Sequence, residues 1–267
     1  MPSHSRAPIE VDRAPVLLEP SVVDGRLGRF DTAGGSVWLP IDSPDDVIVR
    51  DIRAGLLFEG PVIRALLPFI RPGTAVLDIG AHFGQTAIAF SDAVGSDGRV
   101  HAIEVDDQLA GICERNVRSR PCGNVIVHRA AAWDAGGSGG FPAPDFHRLG
   151  SHASSPVASD GRDGARVRTV VVDEIDLQRP LSAIKVGARR TGLHALTGAR
   201  TTIARYGPAV IFKFEQQLQA EFGTSFQDWV DFVASIDYRF DSIVCDVNYL
   251  ALPRTTATHR SEPCHFA

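Results

Sequence analysis

Apolar and polar positions along the chain change period several times, and each change predicts an element. Val16–Val23, Gly25–Phe30 and Ser36–Ile41 are short runs of strand character separated by Gly and Asp turns, which predicts a small β extension at the N-terminus. Residues 1 to about 15, rich in proline and charge, are expected to be loose. Ser43-Pro-Asp-Asp46 offers a cap, a proline at the first helical position and acids in the first turn, so a helix is predicted through Val47 to about Arg53. A second amphipathic helix runs from Glu59 to Ile70, with Val62, Leu66, Leu67 and Ile70 on one face, and Arg71-Pro-Gly73 ends it.

From Thr74 the pattern alternates. Thr74–Ile79 is the apolar, β-branched run of a strand buried on both faces, and Phe83–Ala93 has helical spacing. Arg99–Glu104 is the next strand; Asp106 caps a helix bearing Leu109, Ile112, Cys113 and Val117, and Asn124–His128 is the third strand. Residues 134–166 break the rhythm with Gly, Ser, Pro and Asp, as a functional loop does. Strand character resumes at Val167–Val172, Ser182–Val186 and Ala209–Phe214, with helices expected over Thr191–Arg205 and Thr224–Ser235. Tyr238–Val244 and Asp246–Leu252 read as a terminal antiparallel hairpin, and a tail follows from Pro253. The alternation predicts an α/β fold, a mostly parallel sheet with right-handed crossovers and helices on both faces. The expected organisation is an N-terminal β and helical extension over 1–55, a main domain over 56–252 and a flexible tail over 253–267.

The chemistry gathers at Val76-Leu-Asp-Ile-Gly-Ala-His-Phe-Gly84, a strand running straight into a glycine turn and a helix. Gly80 and Gly84 let backbone approach a ligand at the carboxyl end of the strand. A dinucleotide site places a pyrophosphate there, and the Asp78 carboxylate would repel it. S-adenosylmethionine carries an ammonium and a sulfonium and no phosphate, so an acid at this turn favours it. Glu104, at the end of the next strand, is suited to accept hydrogen bonds from both ribose hydroxyls of an adenosine group. The plainer alternative makes Asp78 a helix cap and Glu104 a solvated strand end. In Ala130-Ala-Ala-Trp133 the small side chains suit an adenine ring against backbone, while Trp133 fits stacking on that ring or core packing equally.

Composition narrows the partners. With 267 residues, 44% of them hydrophobic, the chain can bury a full core. The net charge of -5 is spread without long runs, so no nucleic acid partner is expected. Cys113, Cys122, Cys245 and Cys264 lack C-x-x-C spacing, which argues against a disulfide framework or a zinc site. His147 and His152 in the long loop lack a third ligand at a suitable spacing, so no metal is expected. Neither a signal peptide nor an apolar run of membrane-spanning length occurs, and a cytoplasmic protein without a membrane partner is expected.

In order and detail these signals resemble the FkbM family of class I S-adenosylmethionine-dependent methyltransferases. The likeness runs from about Gly55 to Leu252, through Phe58-Glu59, the Val76–Gly84 motif, Gly98–Glu104, Arg115-Asn116, Thr169–Asp173, Ile184-Lys185, Leu196–Ala199 and Pro208–Glu215. It implies a Rossmann-like fold, with Asp78, Gly80, Ala81 and Gly84 around the methionine part of the cofactor, Glu104 and Val105 at the ribose, and Ala131 and Ala132 at the adenine. Where this chain has His82 the family usually has asparagine. After Lys185 the family's acidic residues align with Gly187, Arg189 and Gly192, so the cofactor half matches while the acceptor half is rewritten. Glu215, Lys185 and His82 are then the catalytic candidates, with Asp173 and His194 behind them. The expected activity is O-methylation of a hydroxyl on a small molecule such as a sugar or polyketide. The rewritten 187–192 segment raises a rival, a non-catalytic partner subunit, and a nicotinamide oxidoreductase on a similar sheet is a third.

Overall fold

The structure, a computed structural model, describes residues 17–32, 35–43, 46–121, 123–141, 165–188, 191–216 and 223–254. Strands β1 (Val22–Asp24), β2 (Leu27–Thr32) and β3 (Gly35–Pro40) form an antiparallel meander. Helix α1 (Val47–Arg53) follows; its cap is Asp46, which accepts from the Val49 N–H at 2.9 Å, rather than Ser43. Helix α2 (Gly60–Leu66) ends in a 3-10 turn at Leu67–Phe69, where Pro68 has no N–H to continue the helix.

The main body is β4 (Ala75–Ile79), α3 (Gln85–Val94), β5 (Arg99–Glu104), α4 (Asp107–Arg118), β6 (Val125–Arg129), β7 (Ala131–Ala132), β8 (Gly137–Phe141), β9 (Ala165–Val170) and β10 (Leu181–Val186). It continues through α5 (Gly192–Thr197), α6 (Arg200–Tyr206), β11 (Ala209–Lys213), α7 (Phe226–Ser235), β12 (Tyr238–Val244) and β13 (Asn248–Pro253). A seven-stranded sheet has the order β12-β13-β11-β10-β4-β5-β6. The five strands from β11 to β6 run parallel, and β13 pairs antiparallel with both β11 and β12. This is the Rossmann-like class I methyltransferase arrangement, with its C-terminal antiparallel pair.

All five residues of β4 are buried, because side chains on both faces meet helices. Leu77, Ile184 and Val186 pack with Leu196, Ile203 and Trp229 on one face, while Val76, Ala183 and Ile211 pack with Leu66, Phe90 and Val117 on the other. Each fully buried Val, Leu, Ile or Phe among them contributes about 1.5–3 kcal/mol. The chain leaves β4 toward β5 and β6 and returns to the other side at β10, so the strand order reverses between β4 and β10, where open α/β sheets bind ligands beyond the carboxyl ends of the strands.

Two further expectations change. The helix predicted over Thr191–Arg205 is two helices. A Cβ at Gly198 would lie 2.1 Å from the Trp133 carbonyl oxygen, and the Asp173 carboxylate accepts from the N–H groups of Thr201 (3.0 Å) and Thr202 (2.8 Å), which starts α6 afresh. Part of the expected 134–166 loop is strand, since β8 pairs antiparallel with β9. His147 and His152 lie outside the described residues.

The N-terminal meander docks on the main body. Phe30, Leu39, Val49 and Ile52 pack against Phe83, Leu109 and Ile112. Buried Asn116 of α4 receives the Trp38 N–H at 2.6 Å and donates to the carbonyls of Trp38 (3.1 Å) and Phe83 (2.8 Å). Arg115 lies over the Trp38 ring, 3.6 Å from its centroid. Among the described residues no helix is long and apolar enough to cross a membrane.

Candidate functional site

The turn leaving β4 holds three left-handed residues, Gly80 (φ 78°), His82 (φ 54°) and Gly84 (φ 84°). Glycine adopts this region freely; histidine does so at a cost, and asparagine more readily than most. The geometry turns the backbone donors inward. Gly80 and Ala81 donate to the Ile103 carbonyl at 2.8 and 3.2 Å, His82 to Glu104 Oε2 at 2.8 Å, and Gly84 to the Ala81 carbonyl at 2.8 Å. A pyrophosphate cradle needs such N–H groups aimed at the ligand, and here these four are already spent within the protein. A Cβ at Gly80 would approach Ala188 N to 3.0 Å, so the turn after β4 and the segment after β10 are in close contact.

Glu104 ends β5 and is 6% exposed. Its Oε2 receives the His82 N–H, and its Oε1 receives the Asp106 N–H at 3.0 Å. Burial pushes its pKa above the usual carboxylate value, against the pull of those two N–H groups. Each oxygen keeps a lone pair for a further donor, such as a ribose hydroxyl. Val105 beside it is 38% exposed, while Ala131 and Ala132 are nearly buried in β7, past the carboxyl end of β6. A carboxylate acceptor, an inward-bonded turn and small side chains fit S-adenosylmethionine, which carries hydroxyls and positive charge and no phosphate.

Asp78, placed at the methionine end of the cofactor by the family likeness, is wholly buried and meets protein groups on both oxygens. Oδ2 accepts the Thr86 hydroxyl at 2.5 Å, and Lys185 Nζ lies 3.0 Å from Oδ1. It does not cap α3, whose N-cap is Gly84. Lys185, 3% exposed, also lies 3.1 Å from Glu59 Oε2 and donates to the Gly80 carbonyl at 2.9 Å, so the ammonium faces three protein oxygens. Burial alone would lower its pKa, but Asp78 and Glu59 together hold it above the usual lysine value.

Glu59 also meets Lys213 Nζ at 3.3 Å, at the last residue of β11. Burial would raise its pKa, yet the two lysines bring it down to about 2. In the sequence Glu59 stands at the start of a helix and within the family likeness, with no role in the site. Its partners lie more than a hundred residues away, and the signal available was the lone pair of lysines in the chain, each within one residue of the end of a core strand.

The remaining candidates separate. Glu215 is half-buried, two residues past the end of β11. The His82 ring sits edge-on to Phe83, centroids 4.0 Å apart. His194 lies flat on Trp133, centroids 4.1 Å apart and planes 8° from parallel, with Nδ1 2.8 Å from Asp134 Oδ2, so one face of the indole is already covered. Asp173 serves the start of α6.

The family model described as the methyltransferase FkbM domain matches residues 78–240. Among solved structures the chain is similar to methyltransferase FkbM from Methylobacillus flagellatus KT, at 16% identity over 76% of this chain and 59% of that one, with a TM-score of 0.46. It is also similar to a SAM-dependent methyltransferase from Aquifex aeolicus (15% identity, 72% and 87% of the two chains, TM-score 0.42). An rRNA methylase from Streptococcus thermophilus matches at 9% identity over 71% and 91%, TM-score 0.41. This chain therefore spans less than two thirds of the Methylobacillus protein. No curated protein matches it.

Proposed function

The chain belongs to the FkbM methyltransferase family, a family of S-adenosylmethionine-dependent enzymes, and from that premise we propose that it methylates a hydroxyl oxygen of a small molecule. The observation that carries the cofactor half is the pairing of an inward-bonded turn at Gly80–Gly84 with a buried carboxylate acceptor at Glu104. Bound S-adenosylmethionine supplies a methyl group already activated by sulfonium, so the protein's work is mainly alignment.

In this reading Gly80, Ala81 and Gly84 shape the methionine end, Glu104 and Val105 take the ribose, and Ala131 and Ala132 back the adenine. Asp78 and Lys185 stand behind the turn and position it. Half-buried Glu215 takes the proton of the acceptor hydroxyl, a role supported by its place just past a core strand. His82 contributes its backbone N–H to Glu104. The even charge distribution of a chain with net charge -5 supports a small acceptor over RNA.

A second reading, a non-catalytic partner subunit, is favoured by Gly187. The family's acid is absent there, and a Cβ at that position would meet Lys185 Nζ at 2.6 Å. Incubation with methyl-labelled S-adenosylmethionine separates the readings. Label in hydroxylated small molecules, lost in Glu215→Gln, is the expected result. Label found only in RNA overturns the small-molecule assignment, and cofactor binding with no labelled product in a cell extract favours the partner subunit.

A further inference from the structure

Glu59 lies ahead of the family-matched region, yet its carboxylate reaches the centre of the site. It precedes α2 in a left-handed conformation (φ 55°), a costly choice for a residue with a side chain. The Phe58 N–H beside it is held by Gln85 Oε1 at 2.6 Å, at the start of α3. The loop bearing Glu59 is thus fixed from two sides, and its carboxylate faces Lys185 and Lys213.

Lys185 carries this constraint inward. Its nitrogen lies 3.0 Å from Asp78 Oδ1 and 3.1 Å from Glu59 Oε2 and donates to the Gly80 carbonyl. The same nitrogen fills the space in front of Gly187: a Cβ on Gly187 would lie 2.6 Å from Nζ and 3.3 Å from the Gly80 oxygen. The Gly187 N–H in turn donates to the Ile79 carbonyl at 2.7 Å. The ammonium therefore sits as a spacer between the turn after β4 and the segment after β10, on the cofactor and acceptor sides of the cleft. With one carboxylate gone, the ammonium is free to swing toward the other and release Gly80.

We propose that Glu59 is a positioning residue for methyl transfer, which acts through Lys185 to hold the Gly80 turn against Gly187 and Ala188. It rests on the S-adenosylmethionine reading of the site. Two carboxylates and two ammonium groups make the network neutral, so it shapes the turn without adding net charge beside a sulfonium. Glycine at position 187, in place of the family's acid, leaves Lys185 Nζ where it lies, since a Cβ there would require the ammonium to shift.

The test is titration calorimetry with S-adenosylhomocysteine on the full chain and its Glu59→Gln, Glu59→Asp and Lys213→Met variants, with melting temperatures taken alongside. Glu59→Gln is expected to weaken binding about tenfold while still folding cooperatively, since small displacements of a positioned group are costly. Glu59→Asp, which keeps the charge, should recover part of that loss. Lys213→Met, which leaves Lys185 between both carboxylates, should stay within about twofold of the parent. Wild-type affinity in Glu59→Gln overturns the proposal, as does an equal loss in Lys213→Met, because a general loosening would weaken both. Should Glu59→Gln fail to fold, wild-type affinity in Glu59→Asp with a lowered melting temperature marks a purely structural role and overturns it. Failure of the parent chain to bind S-adenosylhomocysteine removes the cofactor reading and this inference with it.

Discussion

Lys185 and Asp78 face each other in register on the neighbouring parallel strands β10 and β4, with Nζ 3.0 Å from Oδ1 and both side chains buried. The charge of Asp78 is thus paired inside the protein. Breaking a buried pair by removing one partner strands the other, at a cost of about 3–5 kcal/mol, whereas replacing both by apolar groups of similar size is often near neutral. Asp78→Leu is therefore expected to lower unfolding stability by that order, and Asp78→Leu with Lys185→Met to lie closer to the parent than either single variant. Urea denaturation of the four proteins closes the cycle.

The core strands were legible because β4 and β10, flanked by helices on both sides, must be apolar throughout. The two acids were legible as strand-end residues, but their employment was not. Sequence order does not say that Lys185 and Thr86 enclose Asp78 while Glu104 keeps an exposed edge, since both outcomes fit an acid at a strand end. His82 shows a different limit. The left-handed turn explains why asparagine is usual there, but φ is invisible in a list of residue types. The break at Gly198 was hidden because its cause, the Trp133 carbonyl, lies far off in the chain.

Asn116 ties the N-terminal meander to the cofactor turn through three hydrogen bonds, to Trp38 N–H and to the carbonyls of Trp38 and Phe83. Asn116→Ala leaves those buried groups short of partners, at about 1–3 kcal/mol for the group worst affected. Hydrogen exchange is expected to rise in residues 35–40 and around Phe83 together, ahead of the central strands. A rise in the meander alone would show that the turn does not depend on it.

Buried His101 and half-buried His128 form a pair in which both rings carry the proton on Nε2. The Leu177 carbonyl, 3.3 Å from His101 Nε2, only accepts, so Nε2 carries the proton and Nδ1 takes one from His128 Nε2 at 3.0 Å. Burial lowers both pKa values, that of His128 to about 4 with further help from His101. The unfolded chain therefore binds more protons below the ordinary histidine value of about 6.5, and stability should fall as pH drops from 6.5 to about 4. The loss is on the order of 1–3 kcal/mol. Glu59 adds a separate loss between about 4.5 and about 2, where its stabilising ionisation disappears. Melting curves from pH 7.5 to 2 should show both declines, and His128→Gln should reduce the first while leaving the second.

Glu104 and Asp78 make opposite predictions, which separates cofactor contact from structural support. Glutamine at position 104 offers one acceptor oxygen, and its amide nitrogen would face a donor where Oε1 or Oε2 now receives an N–H, so the loop from His82 to Asp106 loses one of its two ties. Burial already disfavours the charged form of Glu104, so removing the charge offsets part of that lost bond, and the net cost should be about 1–2 kcal/mol. Ribose recognition has no such compensation: two hydroxyls meet a single weaker acceptor, and S-adenosylhomocysteine affinity should fall about 10–100-fold. Asp78→Asn should show the reverse, a larger drop in stability with affinity of the folded protein changed much less, because Asp78 has no surface to offer. Calorimetry and denaturation on the same two variants test this crossed pattern. If Asp78→Asn instead abolishes binding while the fold stays as stable as the parent, the carboxylate reaches the ligand after all, and the division of labour argued for the two acids is wrong.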